Sequence, residues 1–182
     1  MNGREKYMKR IDKGIAEYVK GGKFNDAGKC EYEKGKIFEK ENKINEAIEA
    51  YDKAIDLYQM DKKTMTHSIN EVKLSKADLI CINDIKNKIT EAKALYDEVA
   101  EEYLKNESIG KIFAEDFYMK IILCYFVYND YVSAKAYISR YFGSEKDFEA
   151  SANGKLLQGI VKCFERDEHF KEEEDGINKV IS

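Results

Sequence analysis

Hydrophobic and small residues recur along this chain at three- and four-residue spacing, with charged residues filling the positions between, which is the pattern of helices that bury one stripe and solvate the rest. Nine helices are expected from that periodicity, over residues 3–20, 26–41, 45–60, 64–84, 88–105, 110–128, 130–142, 147–165 and 167–181. Gly21-Gly22 can supply a left-handed stop to the first. Asn42-Lys43-Ile44-Asn45 reads as a turn, with Asn45 as the N-cap of the next helix and Glu46 supporting its first turn. Residues 113–131 are almost continuously apolar, so that helix is expected to be buried on all sides.

The helices pair into hairpins. Between residues 26 and 60 the order Gly35-x2-Phe38, then Ala47-x3-Tyr51-x2-Ala54, has the small and aromatic spacing of the tetratricopeptide repeat (TPR). Gly35 and Ala47 let two helices approach, Phe38 and Tyr51 fill the gap, and Ala54 admits the next hairpin. The second-helix pattern returns as Ala92-x3-Tyr96-x2-Val99, 45 residues on, and as Ala134-x3-Ile138-x2-Tyr141, 42 residues further. That period exceeds the 34 of an ordinary TPR, so the helices or loops are longer than standard. The consensus proline that closes a TPR is missing, and the chain has no proline at all. The fold class is therefore all-α, a right-handed TPR-like solenoid of helical hairpins. It is divided into an opening helix (1–22), hairpins (24–142) and an acidic C-terminal hairpin (145–182).

Composition narrows the function. Charged residues are 36% of the 182, and the formal net charge of −4 argues against general nucleic-acid binding. The charge is uneven: residues 1–40 hold 11 basic and 7 acidic side chains, residues 145–175 hold 5 and 10. No apolar run approaches a membrane span and the first residues lack the apolar stretch of a signal peptide, so a cytoplasmic location is expected. Cys30, Cys81, Cys124 and Cys163 are too far apart for a zinc knuckle or a short disulfide framework and are expected as reduced, buried thiols.

No phosphate-binding glycine loop, zinc-protease helix, nucleophile elbow or EF-hand spacing occurs. His67 and His169 stand 102 residues apart, and a deep polar pocket around either would be needed to suggest catalysis. The run Glu172-Glu173-Glu174-Asp175 points in several directions around a helix and reads as a solvated face. Neither a metal nor a cofactor is expected. The excess of tyrosine is explained by helix packing, whereas Lys29, Lys73, Lys76, Lys111 and Lys120 fall on first helices, the ones that line the concave wall of a solenoid.

Lys111-Ile-Phe-Ala-Glu-Asp-Phe-Tyr-Met-Lys-Ile-Ile-Leu-Cys-Tyr-Phe126, followed by Asn129-Asp-Tyr-Val-Ser-Ala-Lys135, resembles the C-terminal half of the SNAP proteins, the soluble NSF attachment proteins. Ala47-Ile-x-x-Tyr51-x-x-Ala54-x-x-x-Tyr58 and the stretch at Ala92 and Tyr96 resemble the family's earlier hairpins. The likeness covers residues 24–180 and a little over half of the family's length. It leaves out the family's first hairpins with their membrane-dipping loop, and its terminal acidic-Leu tail. The 129–132 segment is closer to the gamma type and the 123–126 block to the alpha type.

The resemblance implies hairpins capped by a C-terminal helical bundle, in an adaptor that is no enzyme. Such an adaptor binds the four-helix SNARE complex through concave-face lysines and recruits the AAA ATPase NSF. Association with membranes would be peripheral, through these partners. By the same resemblance, Lys29 fits one basic position, Lys73 or Lys76 the next, and Glu115 stands where the family tends to have a lysine. Residues 172–175 would lie near the ATPase. The alternative from composition and repeat pattern is a generic TPR receptor, such as a co-chaperone that clamps an extended peptide tail.

Overall fold

A computed structural model describes residues 3–62, 66–83, 88–105, 110–128, 130–144 and 150–181, with side chains for 3–62, 66–83, 88–105, 115–128, 130–139 and 150–166. Among the described residues there are eight helices and no strand: α1 (Gly3–Lys20), α2 (Phe24–Lys40), α3 (Ile44–Met60), α4 (Thr66–Ile82), α5 (Ile89–Leu104), α6 (Gly110–Val127), α7 (Tyr131–Ser144) and α8 (Ala152–Ile181). The chain forms two compact units, Met1–Val99 and Ala100–Ser182, with the boundary inside α5.

In the first unit α1 packs on α2, α2 on α3, and α3 on α4. The α2–α3 pair is held by two notches that have the same chemistry. The Tyr51 ring lies where a Cβ on Gly35 would be, 2.4 Å from its nearest atom, and the Tyr58 ring faces Gly28 in the same way at 2.8 Å. Each glycine removes the bulk that would hold the helices apart. Ala47, Tyr51 and Ala54 are fully buried, as are Ala92 and Val99 on α5. Three tyrosine hydroxyls reach polar groups across helices. Tyr51 donates to Glu39 at 2.6 Å and Tyr96 to Asp78 at 2.5 Å, while Tyr32 meets Glu71 and Ser75 of α4 at 3.1 and 2.9 Å. Helix α1 contributes no fully buried residue, although half-buried Ile11, Ile15 and Tyr18 interrupt its exposed positions.

The turns after α1 and α2 are one motif used twice. Gly22 and Asn42 adopt φ of 69° and 58°. Each donates its N–H three residues back, to Val19 and Glu39, and the lysine that follows donates five residues back, Lys23 to Tyr18 at 2.8 Å and Lys43 to Phe38 at 2.9 Å. This is the Schellman arrangement, which satisfies the last helical carbonyls. The helix start differs from expectation: α3 begins at Ile44, its N-cap is Lys43, and no side chain caps it, so Asn45 lies inside the first turn. Lys43 takes the cap because the Schellman bond to Phe38 sets its backbone first, and its carbonyl then accepts from Ala47 at 3.0 Å.

The second unit is built around Ile122, Phe126, Ala134, Ile138 and Leu157, from α6, α7 and α8. Phe126 stacks on Phe164 at 4.9 Å, and Tyr131 tilts against the same ring at 4.5 Å. Helix α6 is not buried on all sides, since Leu123 and Val127 are exposed at 40% and 69%. Two helices were expected at 147–165 and 167–181, but residues 152–181 form the single helix α8. The expected break falls among helix-favouring Glu, Arg and Lys with no glycine or proline between Gly159 and Gly176, so nothing stops the hydrogen-bond ladder there. The long repeat period comes from helices and connectors together, since α3 and α5 begin 45 residues apart and the 17-residue helices α3 and α4 account for 34 of them.

Candidate functional site

The five lysines of interest occupy three helices. In the first unit, Lys29 lies on α2 and Lys73 and Lys76 on α4; in the second, Lys111 and Lys120 lie on α6. Lys29 is exposed, its ammonium 4.0 Å from Asp26 one turn away, a solvated pair that adds little and leaves the charge on the surface. Lys73 is largely covered, with its ammonium on Glu98 of α5. Lys120 is half-buried and engaged within the chain. The side chain of Lys111 lies outside the described residues.

Lys76 departs from the surface role expected of it. Only 4% of it is exposed, and its ammonium is held by Asp52 of α3 and Glu91 of α5. Burial pulls its pKa down, and the hydrogen bonds and charges of Asp52 and Glu91 more than reverse this, so the value ends above that of a free lysine. An ammonium held this way joins three helices and is withdrawn from any partner. In sequence it is one of two lysines on α4, and only the convergence of α3 and α5 decides its role.

Lys34 went unnoticed for the same reason. It bridges Asp12 of α1 at 2.7 Å and Glu31 of its own helix at 3.6 Å. Lys36 sits over the Tyr32 ring at 4.0 Å. The one signal in the sequence is the i,i+3 spacing of Glu31 and Lys34.

Other candidates are placed as follows. His67 is exposed at the start of α4. The side chains of His169 and of Glu172, Glu173, Glu174 and Asp175 lie outside the described residues, though their backbone belongs to α8. Of the four cysteines, Cys124 is buried, Cys30 and Cys81 are half-buried, and Cys163 is exposed, contrary to the expectation of four buried thiols. Cys163 follows Lys162 on the solvated side of α8, while Phe164 turns into the core. No group of three His, Cys, Asp or Glu converges among the described residues, and no described helix is long and apolar enough to cross a membrane.

The family model described as "Soluble NSF attachment protein, SNAP" matches residues 2–175, nearly the whole chain. The chain belongs to the SNAP family. Among the relatives of this SNAP chain, the vesicular-fusion protein SEC17 of Komagataella phaffii is 29% identical over 152 residues, which is 83% of this chain and 50% of that protein. The alpha-soluble NSF attachment protein of Dictyostelium discoideum is 23% identical over 151 residues, 82% of this chain and 49% of that one. SEC17 of Coprinopsis cinerea is 24% identical over 157 residues, 86% and 52% respectively. The chain thus spans about half the length of the relatives it matches. No solved structure gives a significant match.

Proposed function

We propose that this SNAP-family chain is a non-enzymatic adaptor that holds the assembled SNARE four-helix complex and recruits an NSF-type AAA ATPase for its disassembly in vesicle fusion. The carrying observation is the family match over residues 2–175, supported by relatives named for vesicular fusion and NSF attachment. Location is cytoplasmic, with membranes approached through the partners. SNARE complexes are acidic rods, so lysines on a rigid helical wall draw them in at long range, and that attraction weakens with salt. The contact set is narrower than the five lysines taken together. Lys29 carries the exposed charge, Lys73 contributes where its pair with Glu98 opens, and Lys76 serves the wall itself. Lys111 and Lys120 extend the set onto α6, and the acidic segment 172–175 faces the ATPase.

Binding of the purified chain to a preassembled SNARE complex tests this at about 50 and 200 mM salt, where the Debye length falls from roughly 14 to 7 Å. The expected result is weaker binding at the higher salt and a further loss of about tenfold for Lys29→Glu. Lys76→Met removes a buried ammonium but unmasks the half-exposed carboxylates of Asp52 and Glu91, so its loss of binding should be smaller than that of Lys29→Glu. Binding that ignores both salt and the Lys29 reversal would refute the lysine contact.

A further inference from the structure

A polar recess of about 150 Å³ opens on the α2–α3 hairpin, lined by Glu31, Lys34, Phe38, Glu46, Glu49 and Lys53 among others. That is well below the 300–1,000 Å³ of small-molecule pockets, and suits the head of one side chain. Glu31 is only 6% exposed, and its Oε2 has no hydrogen-bond partner. Lys34 stands 3.6 Å from that oxygen, beyond hydrogen-bond length, because its ammonium is drawn 2.7 Å from Asp12. Glu46 and Glu49 are exposed, and neither enters an ion pair among the described residues. A buried carboxylate oxygen left without a hydrogen-bond donor is costly, and the other lysine of the lining, Lys53, is exposed and enters no ion pair among the described residues.

We propose that this recess receives the guanidinium of an arginine from a basic segment of a partner protein. Three carboxylates and two lysines line it, an excess of one negative charge, and the lysine nearest the orphaned oxygen is already committed to Asp12. Guanidinium fits better than ammonium because it presents several donors in a flat fork, can serve Glu31 together with a rim carboxylate, and lies flat against an aromatic wall such as Phe38. The recess shares α2 with Lys29 but none of its lining residues belongs to the lysine set proposed for SNARE complexes. It would recognise a different, basic sequence.

The test is titration of the full chain with N-acetyl-arginine amide, followed by amide chemical shifts, beside N-acetyl-lysine amide and the neutral isostere N-acetyl-citrulline amide. Expected are saturable shifts centred on Lys34, Ala50 and Lys53, weaker ones with the lysine probe and none with citrulline. Glu31→Gln should abolish the response. Glu46→Gln/Glu49→Gln, which alters exposed positions and leaves the fold intact, should weaken it about fivefold. Citrulline shifts equal to those of arginine, or arginine shifts scattered over the surface and unchanged in the rim double variant, would overturn the proposal and leave water as the partner of Glu31.

Discussion

Lys76 shows how far the meaning of one side chain depends on its surroundings. Its ammonium is buried, whereas Asp52 and Glu91 keep 48% and 40% of their side-chain surface. Removing the lysine therefore leaves two carboxylates that water can reach, while removing the carboxylates leaves a charge that water cannot. Lys76→Met should cost about 1 kcal/mol or less, and Asp52→Asn/Glu91→Gln about 3 kcal/mol, both read from urea unfolding. Equal losses would mean that the ammonium is solvated after all.

The buried phenols set a second residue-scale expectation. Burial, with the Glu71 charge behind it, pushes Tyr58 from 10 up to about 12. Burial and the hydrogen bond to Glu39 raise Tyr51 further, and burial and Asp78 do the same for Tyr96. Between the unfolded and folded pKa values the folded chain holds more protons than the unfolded one, so stability falls as pH rises. These contributions, and that of Lys76 with its own raised pKa, are complete below pH 10 and are lost above it. The melting temperature should change little from these groups up to about pH 10 and drop steeply beyond, with a set of tyrosines ionising only on unfolding. A flat profile to about pH 12 would contradict this.

At the scale of elements, the glycine-tyrosine notches decide how closely α2 and α3 approach. Gly35→Ala improves helix propensity by about 1 kcal/mol, but the new methyl meets the Tyr51 ring, whose residue is fully buried and cannot swing away. The net effect should be a loss of about 1–3 kcal/mol. Gly14→Ala on α1 is the contrast, because nothing lies within 4 Å of the added carbon, and it should stabilise by up to about 1 kcal/mol. Thermal unfolding of the two variants should shift in opposite directions, and a stabilised Gly35→Ala would show that the ring has room. The Gly35–Tyr51 notch was legible in the sequence because small and aromatic residues at repeat spacing have few other uses. The Gly28–Tyr58 notch follows the same logic seven residues away and was missed, as was the likeness of Gly22-Lys-Phe-Asn-Asp-Ala27 to Asn42-Lys-Ile-Asn-Glu-Ala47 that marks the shared turn. The break expected between residues 165 and 167 is absent from α8 because a strongly polar, charged stretch gives periodicity little to grip, and a helix without glycine or proline there simply continues.

For the whole molecule, the two compact units each carry their own core, one of tyrosine-on-glycine packing and one of stacked Phe126 and Phe164 with Tyr131 against them. Charge follows the chain as well, since the basic excess of residues 1–40 belongs to the first unit and the acidic excess of 145–175 to the second. Many of the basic side chains in the first unit are occupied: Arg4 on Glu41, Lys34 on Asp12, Lys36 on Glu33. The field available to an acidic partner is accordingly smaller than the residue count implies, which is why the salt dependence of the proposed SNARE binding should resemble a few contacts rather than many. A slope like that of a dozen neutralised charges would indicate that these pairs open on binding.

Sequence alone determined the helical class, the positions of most helices, the hairpin contacts at Ala47, Tyr51, Ala92, Tyr96 and Ala134, and the likeness to the SNAP family, because these rest on local periodicity and on spacing within one or two helices. Tertiary structure decided which charges remain for others. Whether a lysine is a brace, as Lys76 and Lys34 are, or a surface charge, as Lys29 is, depends on carboxylates that arrive from other helices 15 to 24 residues away, and no pattern along a single helix contains them.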